Sequence, residues 1–162
     1  DELAYVRNKK IGFVFQSFNL LSKLTAKENV ALPMVYAGVD KATRNARAEE
    51  LLTAVGLGER MDHLPAEMSG GQRQRVAIAR SMVRQPKILF ADEPTGNLDA
   101  RNTWEIVKLL LKINKFGTTV MLITHSTEIV HQLNTRTITI DHGRIVSDVA
   151  HGGGSSQGGG KR

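Results

Sequence analysis

Three observations predict an α/β fold built on a parallel sheet. Short apolar runs at Ile11–Phe15, Ile88–Ala91 and Thr118–Ile123 have the length and the β-branched or aromatic content of strands. The stretches between them place apolar residues three and four apart, the spacing of helices that bury one face. A polar group stands at the exit of each strand: Gln16, the pair Asp92–Glu93, and His125. Ligands of open α/β sheets bind at that edge.

Each element has a local justification. Ile11–Phe15 reads as a buried strand, with Gln16 at its exit. Thr25 and Glu28 form a Thr-x-x-Glu capping box, so a helix is expected to begin there, and Leu32-Pro33-Met34 is expected to interrupt it. From Lys41 to Val55, Ala48, Leu51, Leu52 and Val55 form an apolar stripe that Gly56 and Gly58 end. Ser69-Gly70-Gly71 opens a further helix that buries Val76, Ala79, Met82 and Val83 and stops at Gln85-Pro86. Ile88–Ala91 then reads as a strand covered on both faces, as in a parallel sheet.

Beyond Pro94-Thr95-Gly96 the chain turns. Trp104, Val107, Leu110 or Leu111, and Asn114 describe the next helical stripe, which places Trp104 in the core rather than on a binding platform. Thr118–Ile123 is another buried strand, Ser126 can cap a helix to about Leu133, and Thr135–Ile140 with Arg144–Asp148 alternate as a hairpin around Asp141-His142-Gly143. His63, His131, His142 and His151 have no motif around them and read as surface residues. From Gly152 the sequence GGGSSQGGGKR is expected to be a disordered tail.

Composition bounds the function. With 162 residues, 41% hydrophobic and 23% charged, the chain has the make-up of one soluble domain with a sizeable core. No run is long and apolar enough for a membrane span, and DELAYVRNKK is not a signal peptide, so a cytosolic location is expected. Zero cysteines exclude disulfides and thiolate metal sites. The net charge of +6 is concentrated in Arg73, Arg75, Arg80, Arg84 and Lys87, within a stretch that holds no acid. That cluster reads either as the solvated face of one helix or as attraction toward an anionic nucleotide or membrane surface; neither implies DNA.

The stretch that organises the chain is Met68 to Asp99. Small residues at Ser69–Gly71 let backbone approach an anion at a helix start whose first N–H groups have no internal partner. Asp92 and Glu93 follow an apolar strand. Two adjacent carboxylates can divide two tasks, one holding a metal ion while the other accepts a proton.

SGGQ at Ser69–Gln72, ILFADEP at Ile88–Pro94 and NLD at Asn97–Asp99 together resemble, in order and spacing, the signature motif, Walker B strand and D-loop of ATP-binding cassette (ABC) ATPases. IGFVFQSFNLL resembles their Q-loop, and the position of His125 their H-loop. The resemblance runs from about Arg7 to Asp148. It implies a P-loop NTPase-type parallel sheet core with an inserted helical subdomain: residues 1–150 as a partial ABC ATPase domain, with about 25–68 and the signature helix 69–84 forming the helical part and 151–162 the tail. It further implies that ATP and Mg2+ are bound, that Asp92 and Gln16 serve the metal, and that Glu93, His125 and Gln16 serve catalysis. Ser69, Gly70, Gly71 and Gln72 would meet the γ-phosphate of ATP held by a second copy in a head-to-tail homodimer, with Asp99 at the seam.

No G-x-x-x-x-G-K-[ST] loop occurs, so the sequence reads as the C-terminal part of a longer ATPase, inactive by itself. The implied setting is the inner face of the plasma membrane, beside an integral permease-like subunit. IGFVFQSFNLL with ADEPTGNLD is similar to the branch serving lipoprotein release, macrolide export and cell division. Residues 102–148 look most like the cell-division type, FtsE, whose membrane partner is FtsX. Met68 in place of the usual leucine and Ser126 after His125 depart from the pattern. Two rivals are a DNA-repair ATPase, which would insert long coiled coils or zinc modules, and a non-catalytic subunit, which would show degenerate acids or histidine.

Overall fold

A computed structural model describes residues 2–4 and 10–152, arranged as two units, 1–123 and 124–162. From residue 153 the expected tail lies outside the described residues. In the first unit the chain runs β1 (Ile11–Phe15), α1 (Ala26–Tyr36), α2 (Lys41–Ala54), α3 (Gly70–Met82), β2 (Ile88–Asp92), α4 (Ala100–Lys115) and β3 (Thr119–Ile123). The strands form one parallel sheet in the order β1-β2-β3. In the second unit α5 (Thr127–Leu133) is followed by the antiparallel hairpin β4 (Thr137–Asp141) and β5 (Arg144–Val149).

The local signals explain most boundaries. Thr25 and Glu28 make the expected reciprocal capping box, with Glu28 N–H donating to Thr25 Oγ1 (3.2 Å) and Thr25 N–H to Glu28 Oε2 (2.8 Å). Asp40, Ser69, Asp99 and Ser126 cap α2, α3, α4 and α5 in the same manner, each side chain accepting an N–H of the first turn. Gly56 at φ +80° ends the region after α2, and His142 and Gly143, at φ +46° and +73°, make the two-residue turn of the hairpin.

Two expectations about helices need correction. Pro33 does not interrupt α1, which continues to Tyr36. The proline sits near the helix end, where little ladder remains to break, and Ala26, Val30, Ala31 and Met34 bury the helix against its neighbours. Its start is also fixed by Asn29, buried, whose side chain donates to the Leu21, Leu24 and Thr25 carbonyls at 3.0–3.1 Å and accepts from Leu21 N–H. In α4 the core face is Ile106, Val107 and Leu110. Trp104 is only half-buried and Leu111 and Asn114 are exposed.

The core of the first unit has two clusters that share α3. Ala26, Val30, Ala48, Leu52, Leu57 and Met68 join α3 residues Val76, Ala79 and Val83 in a helical cluster. Val14, Leu89, Ala91, Ile106 and Leu110 join Ile78 of the same helix in a sheet cluster. The helix that Ser69 opens is therefore the wall between them.

The strands were expected to be buried on both faces, and they are not. Val14, Leu89 and Ala91 point into the sheet cluster, but on the other face Phe13, Phe15, Met121 and Ile123 are 42–48% exposed. Phe13 stacks on Phe90 at 5.5 Å between centroids, so this face is apolar and aromatic while solvent reaches it. A period-two strand with apolar residues at every position cannot reveal which of its faces is covered.

This asymmetry is measurable. Leu89→Ala, at the centre of the covered face, is expected to cost about 2–5 kcal/mol in urea unfolding of the 162-residue chain. Met121→Ala on the open face should stay within about 0.5 kcal/mol. Equal losses would contradict the one-sided burial.

Candidate functional site

Matched register brings two of the expected groups to one rim. Phe15 pairs with Asp92 and Asp92 with Ile123, so Gln16 and Glu93 are the next residues out at adjacent strand ends. Asp92 is the exposed last residue of β2. Glu93 then bends away at φ +46°, a left-handed backbone that a non-glycine residue rarely takes. It is held there because its N–H donates to the Ile123 carbonyl (2.8 Å) and its carbonyl accepts from Gly96 N–H (3.1 Å). Strained backbone that its surroundings over-determine is a mark of functional positions.

Gln16 lies over the turn that carries Glu93. Its Nε2 donates to Asn97 Oδ1 (3.1 Å) and Asn97 Nδ2 donates back to the Gln16 carbonyl (3.4 Å). A Cβ on Gly96 would come within 2.7 Å of the Gln16 amide, so glycine is required for this approach. The structure thus directs the Gln16 amide to Asn97.

The helix start at Ser69 has the shape of an anion site. Ser69 Oγ accepts Gln72 N–H (3.2 Å) and Gln72 Oε1 accepts Ser69 N–H (3.0 Å). Accepting uses a lone pair, so the Ser69 hydroxyl keeps its donor. Gln72 acts here as the other half of the cap. Gly70 and Gly71 are the first two helical residues, and Gly71 is packed so closely on Asn102 that a side chain would collide with it.

Asn102 in turn donates its side-chain amide to both carboxylate oxygens of Asp99 (3.1 Å each), while its N–H donates to Asp99 Oδ1 (2.8 Å). The backbone donor of Asn102, and then its side-chain amide, hold the Asp99 carboxyl below the usual carboxylate range. Asp99, at the expected seam, is therefore also the cap of α4.

Part of the basic cluster is not a solvated face. Arg80 donates to the Asn19 and Phe18 carbonyls (2.8 and 3.3 Å), and burial lowers its pKa. The Arg73 guanidinium stands over the Phe18 ring at 5.1 Å. These two arginines fasten the segment after Gln16 onto α3.

His125 belongs to the second unit, two residues past the end of β3. Thr124 Oγ1 accepts the N–H of Ser126 beside it (3.0 Å).

Among the described residues no group of three or more His, Cys, Asp or Glu side chains converges as a metal site. The Asp92–Glu93 pair suits a hard cation that takes one or two carboxylates and finds its other oxygens on a phosphate, as Mg2+ does. The donor set fits that ion and not an all-protein metal centre.

A carboxylate pair and an amide at the C-terminal ends of parallel strands, with a glycine-opened helix start in the same unit, define a phosphate-handling α/β domain. The comparisons agree. The ABC transporter family model matches residues 3–96. An uncharacterized ABC transporter ATP-binding protein of Thermotoga maritima is 54% identical over 143 residues, 88% of this chain and 61% of that protein. The macrolide export ATP-binding/permease protein MacB of Marinobacter nauticus is 50% identical over 148 residues, 91% of this chain and 23% of MacB.

Among solved structures, a dimeric ATP-binding cassette in a post-hydrolysis state, bound to ADP and Pi, superposes with a TM-score of 0.79 at 40% identity. The match covers 93% of this chain and 66% of the other. The chain belongs to the ABC transporter family, as an ATP-binding domain of the type that includes MacB, LolD and YknY. It spans less than two thirds of the length of these relatives.

Sequence patterning did not single out Asn97 or Gln74. The signal for Gln74 was present, because it lies three residues after Gly71 and four before Ile78, on the buried face of α3.

The Asp99 cap carries a pH signature. A depressed folded-state pKa contributes stability that is complete above the unfolded value of about 3.9 and is lost as pH falls through the folded one. Asp99→Ala should therefore lower the urea midpoint at pH 7, and the difference from the parent should shrink between about pH 5 and pH 2. A constant difference would contradict the charged cap.

Proposed function

We propose that the intact protein hydrolyses ATP at a site to which this chain contributes Gln16, Asp92, Glu93 and His125. The observation that carries the reading is the carboxylate pair at the end of β2, with Glu93 held in a left-handed turn beside Gln16. Glu93 accepts a proton from the attacking water as its oxygen bonds to the γ-phosphorus. The bond from that phosphorus to the β,γ-bridging oxygen breaks, giving ADP and phosphate. Gln16 orients the water, which requires its amide to exchange Asn97 for the solvent molecule. His125 donates to the γ-phosphate. Asp92 is the residue that would hold Mg2+, whose chemistry is to neutralise charge on the phosphate oxygens.

Ser69, the N–H groups of Gly70 and Gly71, and Gln72 meet the γ-phosphate of ATP bound to a second copy, with Asp99 at the seam. The dimeric cassette that this chain resembles at 40% identity supports that arrangement. Residues from about 25 to 84 act as a helical subdomain, in keeping with their separate apolar cluster. The partner is an integral membrane permease-like subunit, and the protein sits peripherally on the inner face of the membrane. MacB, an ATP-binding/permease protein by name, supports the pairing of ATPase and permease.

Macrolide-export or lipoprotein-release chemistry fits the relatives; a cell-division role of the FtsE type, with an FtsX-like partner, rests on residues 102–148. ATP-driven efflux by the reconstituted complex favours the first, and a division defect on depletion, without efflux, the second.

Two outcomes test the site. Glu93→Gln in the intact protein should lower kcat by at least about 100-fold while ATP still binds. Turnover near the parent's would overturn the assignment. The 162-residue chain, which carries no G-x-x-x-x-G-K-[ST] loop, should bind ATP weakly, and micromolar affinity measured by calorimetry would contradict the division of labour proposed.

A further inference from the structure

Gln74 is fully buried, on α3, five residues beyond Ser69. Its Nε2 donates to two backbone carbonyls, that of Phe15 at 2.9 Å and that of Pro94 at 2.6 Å. Phe15 is the residue before Gln16, and Pro94 the residue after Glu93. One amide group therefore ties the points at which the chain leaves β1 and β2. Its orientation is set by chemistry, since the opposite flip would press an amide oxygen against two carbonyl oxygens. The cost is visible: Gln74 Oε1 is buried among the described residues without a hydrogen-bond partner. A buried side chain that leaves its acceptor unsatisfied in order to use both donors marks a position where those two contacts matter.

We infer that Gln74 is a positioning residue for hydrolysis, a clamp through which α3 sets the placement of Gln16 and Glu93 together. The inference rests on the roles proposed above for those two residues. Glu93 stays in its left-handed turn through the Ile123 carbonyl, the Gly96 N–H and, one residue on, the Gln74 clamp. Gln16 is stacked on Gly96 of the same turn and bonded to Asn97. Releasing the clamp lets both strand exits relax, in a reaction where small misplacements of the water are costly. Because α3 begins at Ser69, the same amide also links the signature end of the helix to the water-handling end of its own chain.

The test uses the intact protein with Gln74→Met, nearly isosteric but without donors, and Glu93→Gln as reference. Gln74→Met should lower kcat about 10- to 100-fold with KM for ATP within about twofold and nucleotide stoichiometry unchanged. Without nucleotide, amide hydrogen exchange should rise in peptides covering residues 15–17 and 93–97 and stay at the parent's level across α1 and α2. Parental kcat together with parental exchange at both strand exits would overturn the inference. Glu93→Gln retaining turnover would instead overturn the site assignment, and the exchange data would still decide the clamp. If Gln74→Met does not fold, Gln74→Asn, with both donors on a stem too short to reach, is read against the same two outcomes.

Discussion

Parallel pairing of β1, β2 and β3 in matched register is the constraint on which the site depends. Because Phe15, Asp92 and Ile123 are level, whatever follows each strand emerges at one height on one rim. Chemistry that needs an amide and a carboxylate around a single phosphate then requires only that the right residue types stand at the exits. A slip of one residue in β1 would turn its side chains to the opposite face and move Gln16 off the level of Glu93. Leu89 and Ala91 pin the register by burying one face of the central strand against Ile78, Ile106 and Leu110.

The rim is then refined by polar contacts that hydrophobic packing alone would not supply. The left-handed backbone at Glu93, the glycine at 96 and the Gln16–Asn97 pair form one compact turn. Gln74 reaches this turn from beneath, and Arg73 and Arg80 secure residues 18 and 19 from the same helix. α3 thus does more than present the Ser69 end: it is the scaffold on which the exits of two strands rest. The apolar faces of this helix are divided between the two clusters, so its position reflects the packing of both.

Much of this was legible in the residue pattern. Strands, caps and helix ends follow from period-two runs, capping boxes and glycine, all of which are local signals. What the pattern misjudged were long-range matters. Pro33 was read as a breaker because propensity is local, whereas tertiary burial of Val30 and Met34 carries α1 past it. The one-sided exposure of the sheet is invisible in strands that are apolar at every position. Arg73 and Arg80 looked like a solvated face until Phe18 and Asn19, more than fifty residues away in sequence, came to lie against them. Gln16, Asp92 and Glu93 were found from the motif order; Asn97 and Gln74 act on backbone and on one another's neighbours, and only coordinates show such contacts.

The central claim is that one strand rim grips a magnesium-bound triphosphate while the Ser69 helix start serves the ATP of a second copy. The most direct measurement is a crystal structure of the intact protein, in a hydrolysis-deficient form, with MgATP. The account predicts a head-to-tail dimer in which each γ-phosphate lies between Asp92, Glu93 and Gln16 of one copy and Ser69–Gly71 of the other. Nucleotide bound away from the C-terminal ends of β1 and β2, or contacted by one copy alone at both groups, would contradict it.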